Sequence, residues 1–245
     1  MKKIPLSLFW KMPKSGHRVP PMKYCILIAG LLLSFVSYSQ TTDPTDIGLW
    51  SGIGVEKKIN KSFSVNLNAQ TRFTDNISIL RVFLGELGVS YKLTKHWEVS
   101  GYYRYIGRRK KTDDKTGYYY RPYHRFYADL AYDRKLWKLK FDYRLRYQNQ
   151  FKDDTSTDGL EADKSYLRNK FGLSFSNKSR FTPYVSTDLF YQLGGTGFDQ
   201  MRNKAGIEIA INKRQKLDIS GFTDYQLQGS QENRFLLGVG YKVKF

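Results

Sequence analysis

The sequence contains little cysteine and little histidine. Of its 245 residues, one is cysteine and three are histidine. Cys25 lies in an apolar leader, so the chain that follows it has neither a disulfide nor a thiolate metal site. The three histidines, His17, His96 and His124, show no spacing typical of a metal centre. These shortages exclude the disulfide-rich and zinc-binding classes, and no cofactor is predicted.

Long apolar runs and acidic residues are also scarce. After residue 39 no run of about 18 apolar residues occurs, so no membrane-spanning helix is predicted. The chain has 41 Lys or Arg but only 22 Asp or Glu, a formal net charge of +19. Such an excess suits nucleic acids or anionic surfaces. Here the basic residues alternate with apolar ones instead of forming one stripe, so nucleic-acid binding is not predicted.

The leader has the layout of a secretory signal peptide. The basic segment Met22–Tyr24 precedes the apolar run Cys25–Val36, and Ser37–Ser39 then places small residues before Gln40. This order is typical of a signal peptide, here residues 22–39, that is cleaved near Ser39/Gln40.

The segment before the signal peptide has no such layout. Residues 1–21 hold four prolines and show no periodicity. We interpret them as a non-native upstream segment, with translation starting at Met22. Residues 40–245 are then predicted to form a single domain, because an all-β chain of roughly 200–250 residues can fold as one unit.

The stretch Leu136–Phe151 has the strictest alternation of apolar and polar residues in the chain. Aromatic and leucine side chains occupy nearly all its odd positions, and charged or amide side chains its even positions. Period two places one set on each face of a strand. Trp137 and Tyr147 flank the apolar part, about ten residues apart, which at the usual tilt matches the ~25 Å apolar band of outer-membrane barrels. The stretch therefore predicts a transmembrane β-strand.

Ten further stretches repeat this pattern, so eleven strands are predicted. Their bounds are Ile47–Ile59, Phe63–Phe73, Arg81–Leu93, Trp97–Tyr105, Pro122–Asp133, Leu136–Phe151, Tyr166–Ser176, Phe181–Gln192, Gln200–Ile211, Lys216–Leu227 and Asn233–Phe245. The fold class is an all-β antiparallel transmembrane barrel with short periplasmic turns and longer outer loops, such as 107–117. Bacterial barrels normally have even strand numbers. About 10–12 strands are therefore expected, through an overlooked strand, an N-terminal piece threaded through the lumen, or a ten-strand barrel.

Outward-facing aromatic residues are predicted to form two girdles, as they do at membrane interfaces. Tyr91, Trp97, Tyr132, Trp137 and Tyr241 lie beside tight turns or near the C-terminus, and Tyr103, Tyr147 and Tyr191 lie toward the loops. Tyr241, Val243 and Phe245 also look like the C-terminal insertion signal of bacterial outer-membrane barrels. The predicted partners are therefore outer-membrane lipids, lipopolysaccharide and the barrel-assembly machinery, and the predicted state is a monomer in the bacterial outer membrane.

The inward positions of the predicted strands carry many charges. The basic set is Arg72, Arg104, Arg125, Arg144, Arg146, Arg168, Arg202 and Arg234, and the acidic set is Glu86, Asp129, Asp142, Asp188, Glu208, Asp218 and Asp224. One interpretation is a basic constriction that draws anions through a narrow channel. The other is a lattice of Arg–carboxylate pairs that fills the barrel and leaves a plugged scaffold or surface-binding barrel. The second is favoured, because buried charges must be paired.

Catalysis is the third class of function. His124 lies near an outer loop, at an outward position of the alternating pattern. It is the only candidate acid–base residue for a lipid-modifying enzyme, and no local motif places a serine beside it. No phosphate loop or nucleophile elbow is present. No catalytic residue is therefore assigned, and the chain is predicted not to be an enzyme.

The mature chain resembles an uncharacterised family of bacterial outer-membrane barrels, domain of unknown function 2490. The features that carry the resemblance are Leu49-Trp50, the strand Asn66–Phe73, Leu87–Tyr91, Tyr102–Tyr105 and the Arg-Asn-Lys pattern at 168–170 and 202–204. The resemblance implies the barrel fold and an outer-membrane location. It implies no activity, because none is assigned to the family.

Overall fold

The computed structural model describes residues 47–112, 114, 116–154, 159–176, 179–195, 197–228 and 234–245, without the side chains of Asp154 and Arg234. The predicted signal peptide, its cleavage site and the upstream segment lie outside these residues. In the part that is described, no helix is long and apolar enough to span a membrane.

Eleven strands form one closed barrel, and each is hydrogen-bonded to its neighbours in sequence. Their bounds are β1 Ile47–Lys58, β2 Phe63–Thr74, β3 Ile79–Lys92, β4 Trp97–Lys111, β5 Tyr118–Leu136, β6 Leu139–Asp154, β7 Gly159–Phe175, β8 Phe181–Leu193, β9 Gly197–Ala210, β10 Gln215–Gln226 and β11 Arg234–Lys244. The predicted all-β barrel and its count of eleven strands are confirmed.

The odd strand number is accommodated by a parallel seam. Strands β1 and β11 pair in parallel from Ile47 opposite Phe235 to Glu56 opposite Lys244, and all other pairs are antiparallel. In an up-and-down barrel with an odd number of strands, the first and last strands run the same way, so only parallel pairing closes it. Phe245 extends the seam, since its backbone N–H donates to the Glu56 carbonyl at 2.9 Å. Closure therefore requires neither an even number of strands nor a threaded segment.

The seam predicts a specific cross-link. Ser51 on β1 lies opposite Val239 on β11, and Val239 lies opposite Ile219 on β10. Neighbouring strands are about 4.8 Å apart, within the Cα separation of a disulfide. Oxidation of the Ser51→Cys/Val239→Cys variant should therefore give a cross-linked band on denaturing gels. Ser51→Cys/Ile219→Cys, which skips one strand, should not, and equal cross-linking of both pairs would contradict the parallel seam.

Several predicted bounds were wrong on the side of the barrel where the longer loops were expected. The first five residues of the predicted loop 107–117 are strand, because β4 continues through Lys111 and pairs with β5 from Tyr118. In this two-stranded ribbon, the extension of β4 and β5 beyond the barrel wall predicted from the sequence, tyrosines of β5 lie opposite cations of β4. Arg109 lies 3.9 Å above the Tyr118 ring. Strand β7 likewise begins at Gly159 instead of Tyr166. Part of what the sequence presents as long loops on this side is therefore extended hairpin.

Trp137 is also placed differently from the prediction. Instead of belonging to the strand that follows, it lies in the two-residue turn between β5 and β6, with φ of 56° and 70% of its surface exposed. A positive φ at the first position of a two-residue loop suits the twist of a hairpin. From Trp137 onward apolar and polar residues alternate through the turn and into β6, so the sequence pattern did not indicate the turn.

The two faces of the barrel are inverted relative to a water-soluble domain. Large apolar side chains point outward, and Leu67, Leu87 and Phe171 are each more than half exposed. The inward residues Asn66 and Glu86, next to two of these positions, are buried. An apolar exterior around a polar interior is the arrangement of a transmembrane barrel.

Candidate functional site in the barrel lumen

Charged pairs cross the lumen wall at a regular position, one in each of four hairpins that end in a short turn. Glu86 pairs with Arg104, Asp129 with Arg146, Asp188 with Arg168, and Asp224 with Arg202. These pairs join β3 to β4, β5 to β6, β7 to β8, and β9 to β10. Three of them are directly opposite in the register. The hairpin register therefore sets this layer.

The pair between Asp129 and Arg146 has the best geometry of the layer. Arg146 donates two parallel hydrogen bonds to the carboxylate, Nε to Oδ1 at 2.7 Å and an Nη to Oδ2 at 2.8 Å. Its guanidinium also lies 3.7 Å from the centroid of the Tyr127 ring. Arg144 lies 3.9 Å from the same carboxylate and 3.9 Å from Asp188, and so connects two pairs. Bidentate pairs with aromatic stacking are the strong form of this interaction.

The β1–β2 hairpin differs from the other four. At the corresponding position Trp50 lies opposite Arg72, whose guanidinium is 3.6 Å above the indole ring. Arg72 donates from Nε to Gln70 at 2.9 Å, and it forms no ion pair with another described residue. Arg202 on β9 approaches the same indole at 4.7 Å. One guanidinium of the layer thus lacks a carboxylate.

Apolar side chains fill the lumen on the loop side of this layer. Val82, Leu84, Ile106 and Tyr123 form a buried cluster inside the barrel. Trp50 packs edge-on against Phe222 with ring centroids 4.8 Å apart. The inward positions therefore hold apolar residues as well as the predicted charges. The signal was present in β3, where Val82, Phe83 and Leu84 break the alternation.

A cavity of about 620 Å³ lies at mid-depth and extends toward the short turns. Ten Arg or Lys side chains and four carboxylates line it. Gly52, Gly54, Gly238 and Gly240 line its seam side. Toward the short turns the charged groups are more exposed, as in the pair of Lys216 with Glu208 at 2.5 Å. The cavity is therefore closed on the loop side and opens on the short-turn side.

Ten of the fifteen predicted lumen residues line the cavity. Arg72, Arg104, Arg144, Arg146, Arg168, Arg202, Glu86, Asp129, Glu208 and Asp218 line the cavity. Asp188 and Asp224 pair with arginines of that set, and Arg125 donates to Gln150 at 3.1 Å. Asp142 faces Gly172 on the neighbouring strand. The side chain of Arg234 lies outside the described residues.

The Arg-Asn-Lys pattern supplies two lining residues that sequence reasoning did not single out. Lys170 and Lys204 point into the cavity beside Arg168 and Arg202. The intervening asparagines accept hydrogen bonds from neighbouring strands: the Tyr143 hydroxyl donates to Asn169 at 2.7 Å, and the Thr187 hydroxyl to Asn203 at 2.9 Å. Both copies of the pattern therefore place a lysine inward, on the cavity wall.

Apart from Trp137, which lies in the β5–β6 turn, the predicted girdle residues lie on the outer surface. Tyr91, Trp97, Tyr103, Tyr147 and Tyr191 are exposed, and Tyr132 and Tyr241 are half-buried. His124 belongs to the same belt, because its Nδ1 is 2.8 Å from the Tyr103 hydroxyl and its ring packs edge-on against Tyr105. Its nearest partners are thus aromatic.

Among the described residues at the tip of the β4–β5 hairpin is the acid Asp114. Asp114 accepts hydrogen bonds from the hydroxyls of Thr112 and Thr116 and from the Thr116 backbone N–H at 3.1 Å. These bonds lower the pKa of Asp114 to about 2, so it is ionised at neutral pH and offsets part of the charge of Arg108–Lys111.

Comparison with known sequences gives a family. The profile of the family described as protein of unknown function (DUF2490) matches residues 47–230. The chain belongs to this family. The DUF2490 match covers β1 through β10, including the charged layer and most of the cavity lining. No curated protein matches the sequence.

Two solved structures share a remote likeness with this DUF2490 chain. One is the β domain of the Bordetella autotransporter Brka, at 10% identity and a TM-score of 0.43, covering 74% of this chain and 82% of that one. The other is the translocator domain of the autotransporter NalP from Neisseria meningitidis, at 11% identity and a TM-score of 0.38, covering 86% and 92%.

Proposed function

We propose that this protein is an outer-membrane barrel whose lumen is closed to free diffusion by its own side chains. The observation that carries the proposal is the burial of the charged layer: Glu86, Asp129 and Asp188 are 8%, 7% and 4% exposed. Carboxylates on the wall of a water-filled channel would be exposed to channel water. The apolar cluster around Leu84 and Ile106 supports closure on the loop side.

The size of the barrel supports the same proposal. Barrels of about eight strands are filled by their own side chains, and barrels of 16–18 strands enclose an aqueous channel. With eleven strands, both outcomes are open on size alone. The arginine-rich content then decides, because planar guanidinium groups bridge carboxylates across neighbouring strands and fill space. Lipids, lipopolysaccharide and the assembly machinery are the partners that we propose for such a barrel, with the short turns in the periplasm.

Recordings in planar bilayers test the closed lumen. The native barrel should show no unit steps of current. The Trp50→Ser/Arg72→Ser variant should show them, because it removes a stacked pair that lines the lumen cavity without leaving a carboxylate unpaired. Arg109→Ser, on the ribbon that extends from β4, is the matched control and should be silent. A heat-modifiable gel shift shows that each variant is folded, and steps from the native barrel would contradict closure.

A narrow anion channel is the second candidate, favoured by the excess of basic groups over carboxylates around the cavity. An anion channel predicts that the native barrel shows unit current steps with anion selectivity. Arg144→Glu should weaken that selectivity. A lipid-modifying enzyme has the least support, because no serine contact accompanies the bond between His124 and Tyr103 in the described part of the chain. His124→Ala should leave lipid profiles unchanged.

A further inference from the structure

The lumen contains more positive charge than its carboxylates neutralise. Three carboxylates outside the cavity lining neutralise basic groups on it: Asp188 pairs with Arg168, Asp224 with Arg202 and Glu56 with Lys242. Counted with the four carboxylates that line the cavity, they leave three of its ten basic groups in excess. An enclosed, partly desolvated space with excess charge favours a counter-ion of opposite sign. The cavity is therefore suited to an anion.

Two neighbouring side chains show where that anion would be held. Arg144 and Lys170 lie directly opposite each other on β6 and β7 and both line the cavity. The Nε of Arg144 is buried and has no hydrogen-bond partner among the described residues. Lys170 forms neither an ion pair nor a hydrogen bond with a described residue, although Asp188 and Asp142 attract it electrostatically. A buried donor without an acceptor is unusual in a native structure.

The surroundings of this pair add further donors. Arg72 forms no ion pair with another described residue and lines the same cavity. Lys204 lines it as well and is bound to Asp218 at 3.0 Å. Toward the short turns Lys216 and Lys242 line the wall, where they are paired with Glu208 and Glu56. Basic groups thus continue from the open end to the Arg144–Lys170 pair, which would raise the local concentration of an entering anion.

We propose that the lumen cavity is a binding site for a small, water-soluble, multivalent oxyanion, held by Arg144 and Lys170 and entering from the short-turn side. The site rests on the closed lumen proposed above, since a blind cavity retains a ligand that an open channel would pass. About 620 Å³ falls within the usual size of small-molecule sites. A guanidinium fork and an ammonium together match a phosphate or a pair of carboxylates.

Both phosphate and carboxylate ligands share this chemistry, and the test separates them. The barrel is purified in detergent, and inorganic phosphate, citrate and chloride are titrated at constant ionic strength. Trp50, which lines the cavity, reports binding by fluorescence in a Trp97→Phe/Trp137→Phe background, and calorimetry gives the stoichiometry. Saturable binding of phosphate or citrate at one site, without saturation by chloride, is expected. Equal responses to all three would show only diffuse counter-ions and overturn the proposal.

Lys170→Met identifies the site. Because Lys170 has no ion pair in the described structure, its removal leaves no carboxylate unpaired, and the barrel should fold normally. The affinity should fall about tenfold or more, as expected for a lost charge-assisted hydrogen bond. Lys140→Met is the control: Lys140 pairs with Asp133 at 3.3 Å near a short turn and does not line the cavity. Unchanged affinity in Lys170→Met would overturn the assignment.

The two proposals fail separately. A barrel that is silent in bilayers but binds neither phosphate nor citrate keeps the closed lumen and removes the oxyanion site. A barrel that conducts and also binds one anion saturably at Lys170 removes the closed lumen and keeps the site.

Discussion

Leu87→Arg is expected to destabilise the barrel by about 2–4 kcal/mol, the cost of a cation on the lipid-facing side of a barrel at the bilayer midplane. Leu87 points outward from the middle of β3, with 52% of its surface exposed. Its strand neighbours on the same face are Gly85 and Val89, and Phe83 and Tyr91 lie one step further toward either end. A charge there has no aqueous surface within easy reach.

The measurement is a urea titration of the barrel folded into lipid vesicles, read by tryptophan fluorescence. Leu93→Arg is the matched control, because Leu93 follows β3 at the short-turn end and is equally exposed, at 52%. Near the interface an arginine costs only about 0–1 kcal/mol. The same small effect at both positions would show that water, and not lipid, surrounds the barrel wall, and it would remove the basis for the outer-membrane location.

The strands and their two faces follow from the sequence because both depend on local information. A period of two assigns each residue of β6 or β8 to one face without knowledge of its neighbours. The apolar face is continuous because lipid solvates it, so tertiary contacts do not interrupt the pattern. The strand count of eleven was therefore correct, although the expectation of an even number argued against it.

The parallel seam and the extended hairpins could not be read in the same way. Whether β1 meets β11 depends on closure of the whole sheet, and the residues of either strand do not encode their partner. The ribbon beyond Tyr105 carries cations that read as a loop, yet they pair with tyrosines of β5, such as Lys111 with Tyr118. Tertiary pairing overrides the local preference there.

The candidate site was predictable in composition but not in arrangement. Parity placed Arg144, Arg146 and Asp129 in the lumen, because each lies at an inward position. It gave no register between strands, so it could not show that Arg146 engages Asp129 with two bonds while Arg144 keeps a free Nε. It also assigned no role to Lys170, whose importance arises from lying opposite Arg144.

Asp129→Ala is expected to destabilise the barrel by about 3–5 kcal/mol, which is the cost of leaving a buried charge without its partner. The substitution removes the acceptor of both Arg146 bonds and one of the two carboxylates near Arg144. Asp129 is only 7% exposed, so its carboxylate is largely shielded from water. The free energy of unfolding in lipid vesicles measures the loss.

Two further variants distinguish the lost pairing from simple loss of a side chain. Asp133→Ala, four residues further along β5, breaks an exposed pair with Lys140, and should cost at most about 1 kcal/mol. Asp129→Ala/Arg146→Met removes both partners, and should recover a large part of the stability lost in the single variant, because no unpaired guanidinium remains at that position. If the double variant were as unstable as the sum of its single substitutions, Asp129 would act by filling space and not by neutralising Arg146, and the charged layer would not be what closes the lumen.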